Sequence, residues 1–129
     1  MERGRGGAGH GRSGLEDTAW VVEHLGGVAT TGREPRLVFG ADGRLSGSTG
    51  VNRVLGQYEV EDGVIHLDAL GSTRMAGPPE SMEQERVLLA VLASQVPFVL
   101  DGDRLVLVPG TDSAPAGAEL RRADETRAV

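Results

Sequence analysis

Three Asp-Gly pairs, each set between short apolar runs, constrain this chain more than any other feature. They stand at Asp42-Gly43 in LVFGADGRLSG, Asp62-Gly63 in YEVEDGVIHL and Asp101-Gly102 in FVLDGDRLVLV. A two-residue hairpin turn follows the twist of its strands when its central residues take positive φ, which Gly adopts freely and Asp tolerates better than most residues. Three such signals in one small chain predict three antiparallel hairpins. The flanking alternation agrees. Leu37 and Phe39 fall on one side of their strand, and Ile65 and Leu67 face away from His66 and Asp68. An opening strand is predicted over Thr18 to Leu25, with Trp20 as its largest anchor and Gly26-Gly27 ending it. A weaker last strand is predicted in AELRRA.

The segment PPESMEQERVLLAVLASQVP, from Pro78 to Pro97, is too long for a strand and is predicted to be a helix. Ser81 and Gln84 have the spacing of a capping box, Glu80, Glu83 and Glu85 complement the N-terminal dipole, and Pro97 is the expected stop. Met82, Leu88, Leu89, Leu92 and Val96 form an apolar stripe at helical spacing. The expected fold is therefore mainly β: a small curled antiparallel sheet or incomplete β-barrel of hairpins, closed by one helix.

Composition bounds what such a fold can do. At 129 residues and 39% hydrophobic content the chain fits one domain, expected over residues 15–123. Residues 1–14 hold six glycines and three arginines and nothing to bury, so they are expected to be a disordered tail, with a second short tail over 124–129. The longest uncharged apolar window, Val87 to Val99, is interrupted by Ser94, Gln95 and Pro97 and is too short to span a membrane. The 13 basic residues, all arginine, face 19 acidic ones, and a net charge of −6 argues against a general nucleic-acid surface. With no cysteine there is no disulfide, thiolate metal site, cysteine nucleophile or lipidated cysteine.

Individual motifs add no chemistry. GRGGAG, Gly4 to Gly9, has the letters of a dinucleotide fingerprint but neither the preceding strand nor the following helix, and its few arginines make a poor single-strand binder. His10, His24 and His66 are scattered without ligand-spaced carboxylates. Ser46 and Ser48 lack a nucleophile elbow, Glu83 and Glu85 point to different helix faces, and Asp101-Gly102-Asp103 lacks the rest of a calcium loop. No catalytic residue, cofactor or metal is expected.

SGSTGVN, Ser46 to Asn52, remains: Gly47, Gly50 and the αL-tolerant Asn52 suit a strand that bends sharply before another begins at Arg53. Here the sequence resembles the META domain family, which includes the bacterial heat-shock protein HslJ. The resemblance rests on Trp20, on LVFGADGRLSGSTGVN, GQY at Gly56 to Tyr58, LGSTRMAGPP at Leu70 to Pro79, MEQE at Met82 to Glu85 followed by LLAVL, and DGDRLVLV, in that order. It implies a β-rich, barrel-like domain with one helix and a non-enzymatic role in stress response or at the envelope. Gly47, Gly50, Asn52, Thr73, Met75, Met82 and Glu85 match the family pattern and are expected to set turns, helix entry and packing. The family commonly has cysteines where this chain has Val51 and Gly77. If those cysteines pair, their joint loss suits a protein that no longer needs the crosslink; together with residues 1–14, which show no signal-like apolar stretch, this points to the cytoplasm. Two other roles stay open: a pocket for a hydrophobic ligand or lipid tail lined by Leu88, Leu89 and Leu92, and a protein partner at an exposed sheet edge near the last strand. A monomer is expected.

Overall fold

The structure, a computed structural model, describes residues 14–92, 95–108 and 117–123. The two predicted tails, Gly14 apart, lie outside the described residues. The strands are β1 (Thr18–Leu25), β2 (Val28–Ala29), β3 (Arg36–Phe39), β4 (Arg44–Ser48), β5 (Arg53–Glu61), β6 (Val64–Ser72), β7 (Gln95–Asp101), β8 (Arg104–Leu107) and β9 (Ala118–Arg122), with a helix α1 (Pro79–Val91) between β6 and β7. The opening strand is the one predicted.

All three hairpins form, each with its own turn. Asp62 and Gly63 both take positive φ between the paired Glu61 and Val64, as a type I′ turn requires. At the β7–β8 turn only Gly102 is left-handed, as at the first central position of a type II′ turn. At the first hairpin Gly43 alone is left-handed, and Gly40 N–H donates to Arg44 O at 2.8 Å to close a longer loop. Because neighbouring strands are antiparallel, these three turns share one rim. The opposite rim carries the β4–β5 connection and the crossover through α1.

The sheet closes on itself. Successive strands β3 to β9 pair as neighbours, and β1 pairs with β3 on one side and β9 on the other, giving an eight-stranded antiparallel barrel to which β2 is a short appendage. The last strand pairs with both β8 and β1, so the exposed edge expected there does not exist. Closure removes the open edge that a curled sheet would leave. Inside, Trp20, Leu37, Phe39, Leu45, Leu105 and Leu120 are almost wholly buried. Trp20 Nε1 donates to Thr18 Oγ1 at 2.8 Å, and the Arg122 guanidinium lies 4.7 Å from the Trp20 ring centroid.

The helix departs from the prediction at both ends. It stops at Val91, and Val96 and Pro97 belong to β7, paired with Ile65 and Val64. Val96 is therefore a barrel residue, not part of the helical stripe. Pro97 is tolerated in a strand because it lies at the end of a three-pair ladder, where its carbonyl accepts from Val108 N at 2.9 Å. At the N-terminus the cap position is Pro78, with no side-chain cap, so Ser81 and Gln84 form no capping box. Pro79 at the first helical position lacks an N–H that would otherwise need a partner. Gln84 instead clasps the loop after β2: its Oε1 accepts from Thr31 N at 2.8 Å and its Nε2 donates to Thr31 O at 3.2 Å.

The face turned to the barrel carries Leu88, Val91 and Leu92, all buried in the core, while Leu89 and Met82 are half-buried. Full burial of a leucine contributes about 1.5–3 kcal/mol, and its truncation adds a cavity cost. Leu88→Ala is expected to lower unfolding free energy by about 2–5 kcal/mol, and Leu89→Ala by less than half as much. Urea midpoints measure both, with exposed Arg86→Ala as control; a larger loss at Leu89 than at Leu88 would overturn the assigned helix face.

Candidate functional site

Six of the seven residues of the family pattern, Gly47, Gly50, Asn52, Thr73, Met75 and Glu85, come together at the rim beside α1, and Met82 is not joined to them. The loop after β4 turns tightly: Thr49 Oγ1 accepts from Val51 N at 3.2 Å and Asn52 N at 2.9 Å, and Ser48 Oγ accepts from Gly50 N at 3.0 Å. Gly50 has φ +98°, and a Cβ there would lie 2.5 Å from Arg33 O; a Cβ on Gly47 would lie 2.2 Å from Arg36 O. Both glycines are thus required by close backbone approach.

This turn delivers Asn52, 2% exposed, to the centre of a hydrogen-bond network. Its Nδ2 donates to Met75 O at 3.0 Å and to Glu85 Oε1 at 2.7 Å, and its Oδ1 accepts from Met75 N at 2.6 Å and Thr73 Oγ1 at 2.9 Å. The backbone of Met75 fixes the amide's orientation, since an N–H can only donate and a carbonyl only accept. Thr49 Oγ1, fully buried, donates to the same Glu85 oxygen at 2.7 Å. Thr73 Oγ1 also accepts from Arg53 N at 2.9 Å. Glu85 reaches the rim because it precedes Leu88 by three residues on one helix face. Thr49 is the participant that sequence reasoning missed; its place inside SGSTGVN is the only signal that could have marked it.

Met75 contributes backbone to the network while its side chain is 61% exposed, and Met82 lies half-buried on α1. Leu88 and Leu92 are in the core, and none of the four surface depressions described below is lined by them or by Leu89. Among the described residues no three His, Asp or Glu side chains gather as a metal site, and no helix is long and apolar enough to cross a membrane.

Two depressions, of about 450 and 610 Å³, flank Tyr58 near the turn rim and carry Glu16, Glu59 and Glu61, and Asp42, Glu59 and Asp68. The Tyr58 hydroxyl donates to Gly40 O at 2.7 Å and its ring meets Phe39 edge-on at 5.1 Å. Burial, then the carboxylates of Glu16, Asp42 and Asp17, push its pKa from the usual value near 10 up to about 12. It therefore donates throughout the neutral range. A third depression, of about 520 Å³, lies by the network and includes Arg33, Arg53, Leu55 and Met75. A fourth, of about 310 Å³, lies between His24 and Val108.

A sequence profile of the META domain matches residues 13–123. The chain belongs to the META domain family. No curated protein matches it. Two solved structures share its fold. One, described as an NMR structure of the protein, superposes with a TM-score of 0.72 at 23% identity, covering 87% of this chain and 94% of its own. The other, an NMR structure of a protein from Burkholderia xenovorans, gives 0.65 at 25% identity over 84% and 83%.

Within this META domain, the two positions at which the resemblance implies cysteines are neighbours. A Cβ on Gly77 would lie 3.7 Å from Val51 Cβ, within the range of a disulfide, and Gly77 is not among the left-handed residues. Val51→Cys with Gly77→Cys is expected to oxidise to an intramolecular disulfide and to gain about 3 kcal/mol. Non-reducing mass spectrometry reads the bond; free thiols in a folded double variant would refute the proximity.

Asn52→Ala leaves Met75 N and Met75 O without their partner and removes one of the two donors to Glu85 Oε1, and is expected to cost about 2–4 kcal/mol. A double-mutant cycle with Glu85→Ala should give a coupling of about 1–3 kcal/mol. Additive losses would mean that the two side chains act independently.

Proposed function

We propose that this META domain is a non-enzymatic accessory module, acting in stress response or at the envelope as its family resemblance implies, and working through its outer wall. The observation that carries this reading is that the buried polar groups of the motif bond one another: all four hydrogen-bonding positions of the Asn52 amide are taken within the domain, two of them by Met75 backbone. A nucleophile or general base needs a lone pair or proton offered to substrate, and residues so engaged hold the fold instead. The lack of cysteine at positions 51 and 77 supports a reducing compartment such as the cytoplasm.

An apolar ligand inside the barrel has less support, because Leu88 and Leu92 pack into the same core as Trp20 and Phe39. The sole tryptophan, fully buried, reports on that interior. Titration with palmitate or an anilinonaphthalene sulfonate dye is expected to leave Trp20 emission unchanged under native conditions. A saturable shift would overturn the module reading and make the barrel a carrier of apolar ligands.

A further inference from the structure

The third depression differs from the two at the turn rim in charge. It is bounded by Arg33 and Arg53, no acidic residue lines it, and neither arginine makes an ion pair among the described residues. Glu34, the nearest acid in sequence, is directed instead to Arg121, 3.8 Å away. On a chain of net charge −6 this is a local reversal of sign. Two large apolar side chains of the same lining stand in solvent, Leu55 and Met75, each 61% exposed. Ser46 and Ser48 occupy the same wall. Leu55 is paired across the strands with Ser46, so the apolar contacts are separate points on a polar surface and not a continuous band that a bilayer would take up.

We infer that this groove binds a short acidic peptide segment of a partner protein, with apolar side chains against Leu55 and Met75 and carboxylates on Arg33 and Arg53. The chemistry fits on two counts. Guanidinium groups that pair with no carboxylate among the described residues can take up a ligand's carboxylates without first breaking an ion pair there. Their field against an acidic background also steers an anionic segment to this wall in preference to the turn rim. The space is open to solvent beside β4 and β5, whose residues line it. The inference rests on the module reading above.

The test uses the full chain and fluorescein-labelled ten-residue peptides in which Asp or Glu alternates with Leu or Phe, paired with counterparts carrying Lys for each acid. Fluorescence anisotropy at low salt is expected to show saturable binding of acidic peptides only, weakened at least tenfold by 0.5 M NaCl. Arg53→Glu and Leu55→Asp should each weaken it at least tenfold with unchanged melting curves, while Arg86→Glu on the exposed face of α1 should not. Arg33→Gln, which removes the charge but keeps a polar side chain, provides a milder second variant. Failure of every acidic peptide to bind better than its lysine counterpart, equal binding by the variants, or binding only to phosphatidylglycerol vesicles would overturn the inference. In each of those outcomes an unchanged Trp20 emission leaves the module reading standing.

Discussion

A primary amide offers two donors and two acceptor positions in one plane, and Asn52 uses that set to join three separate pieces of chain. Toward Met75 it behaves as a peptide unit would, donating to the carbonyl and accepting from the N–H, so the segment after β6 is held as though by one more ladder pair. Toward α1 it donates to Glu85, and through Oδ1 it holds Thr73. Aspartate would lack the donors and leucine every contact. The barrel wall is closed by its own strands, but the rim beside the helix has no strand to complete it, and this amide with Thr49 and Glu85 supplies the fastening there. Gly47 and Gly50 follow from the same need, because the loop that carries Asn52 inward runs too close to Arg33 and Arg36 for any Cβ.

The uneven charge of the surface has a structural origin on one side and none on the other. Asp42, Asp62 and Asp101 stand at the turn rim because hairpin turns favour Asp-Gly, and Glu59 and Glu61 are the exposed alternates of a strand whose inward positions are Val54 and Tyr58. Acidity at that rim is a consequence of folding. The arginines at 33 and 53 answer no such requirement. They cap no helix and pair with no carboxylate among the described residues, and Leu55 beside them is a strand position at which any polar residue would serve.

What the sequence disclosed divides by the range of the interaction responsible. Hairpins depend on residues within about ten positions of one another, so the Asp-Gly pairs and the alternation around Phe39 and Ile65 made all three legible. Barrel closure depends on Trp20 meeting Arg122 across nearly the whole chain, and no local pattern reports it. The end of α1 was obscured because Pro97 reads as a helix stop, when it is in fact a strand residue at a ladder's end. The false capping box has a similar cause: Ser81 and Gln84 carry the correct letters, but Pro78 and Pro79 already set the helix start, and Gln84 is drawn to Thr31, 53 residues away. Asn52 was legible as a turn former and not as a hub, since Glu85 lies 33 residues on.

Val51 and Gly77 connect the fastened rim to the surface beside it. Adjacent to Asn52 in sequence, Val51 packs its Cγ2 3.0 Å from where a Gly77 Cβ would stand, so the absence of a side chain at 77 is what admits the valine. A β-branched residue facing a glycine gives contact without a covalent bond, and the Asn52–Met75 pair two residues before Gly77 already fixes the strands' approach. A crosslink would therefore act mainly on the unfolded chain, by shortening the loop it must close, and add little to the order of the native rim. Freed from that geometry, Val51 becomes part of the groove's lining together with Met75, whose backbone belongs to the network and whose side chain belongs to the surface. The same few residues thus hold the helix to the barrel on the inside and shape the basic, apolar wall on the outside. Substitutions at Arg33, or at Arg53 and Leu55 on the outer face of β5, therefore change that wall alone, whereas those at Met75 or Asn52 also disturb the network.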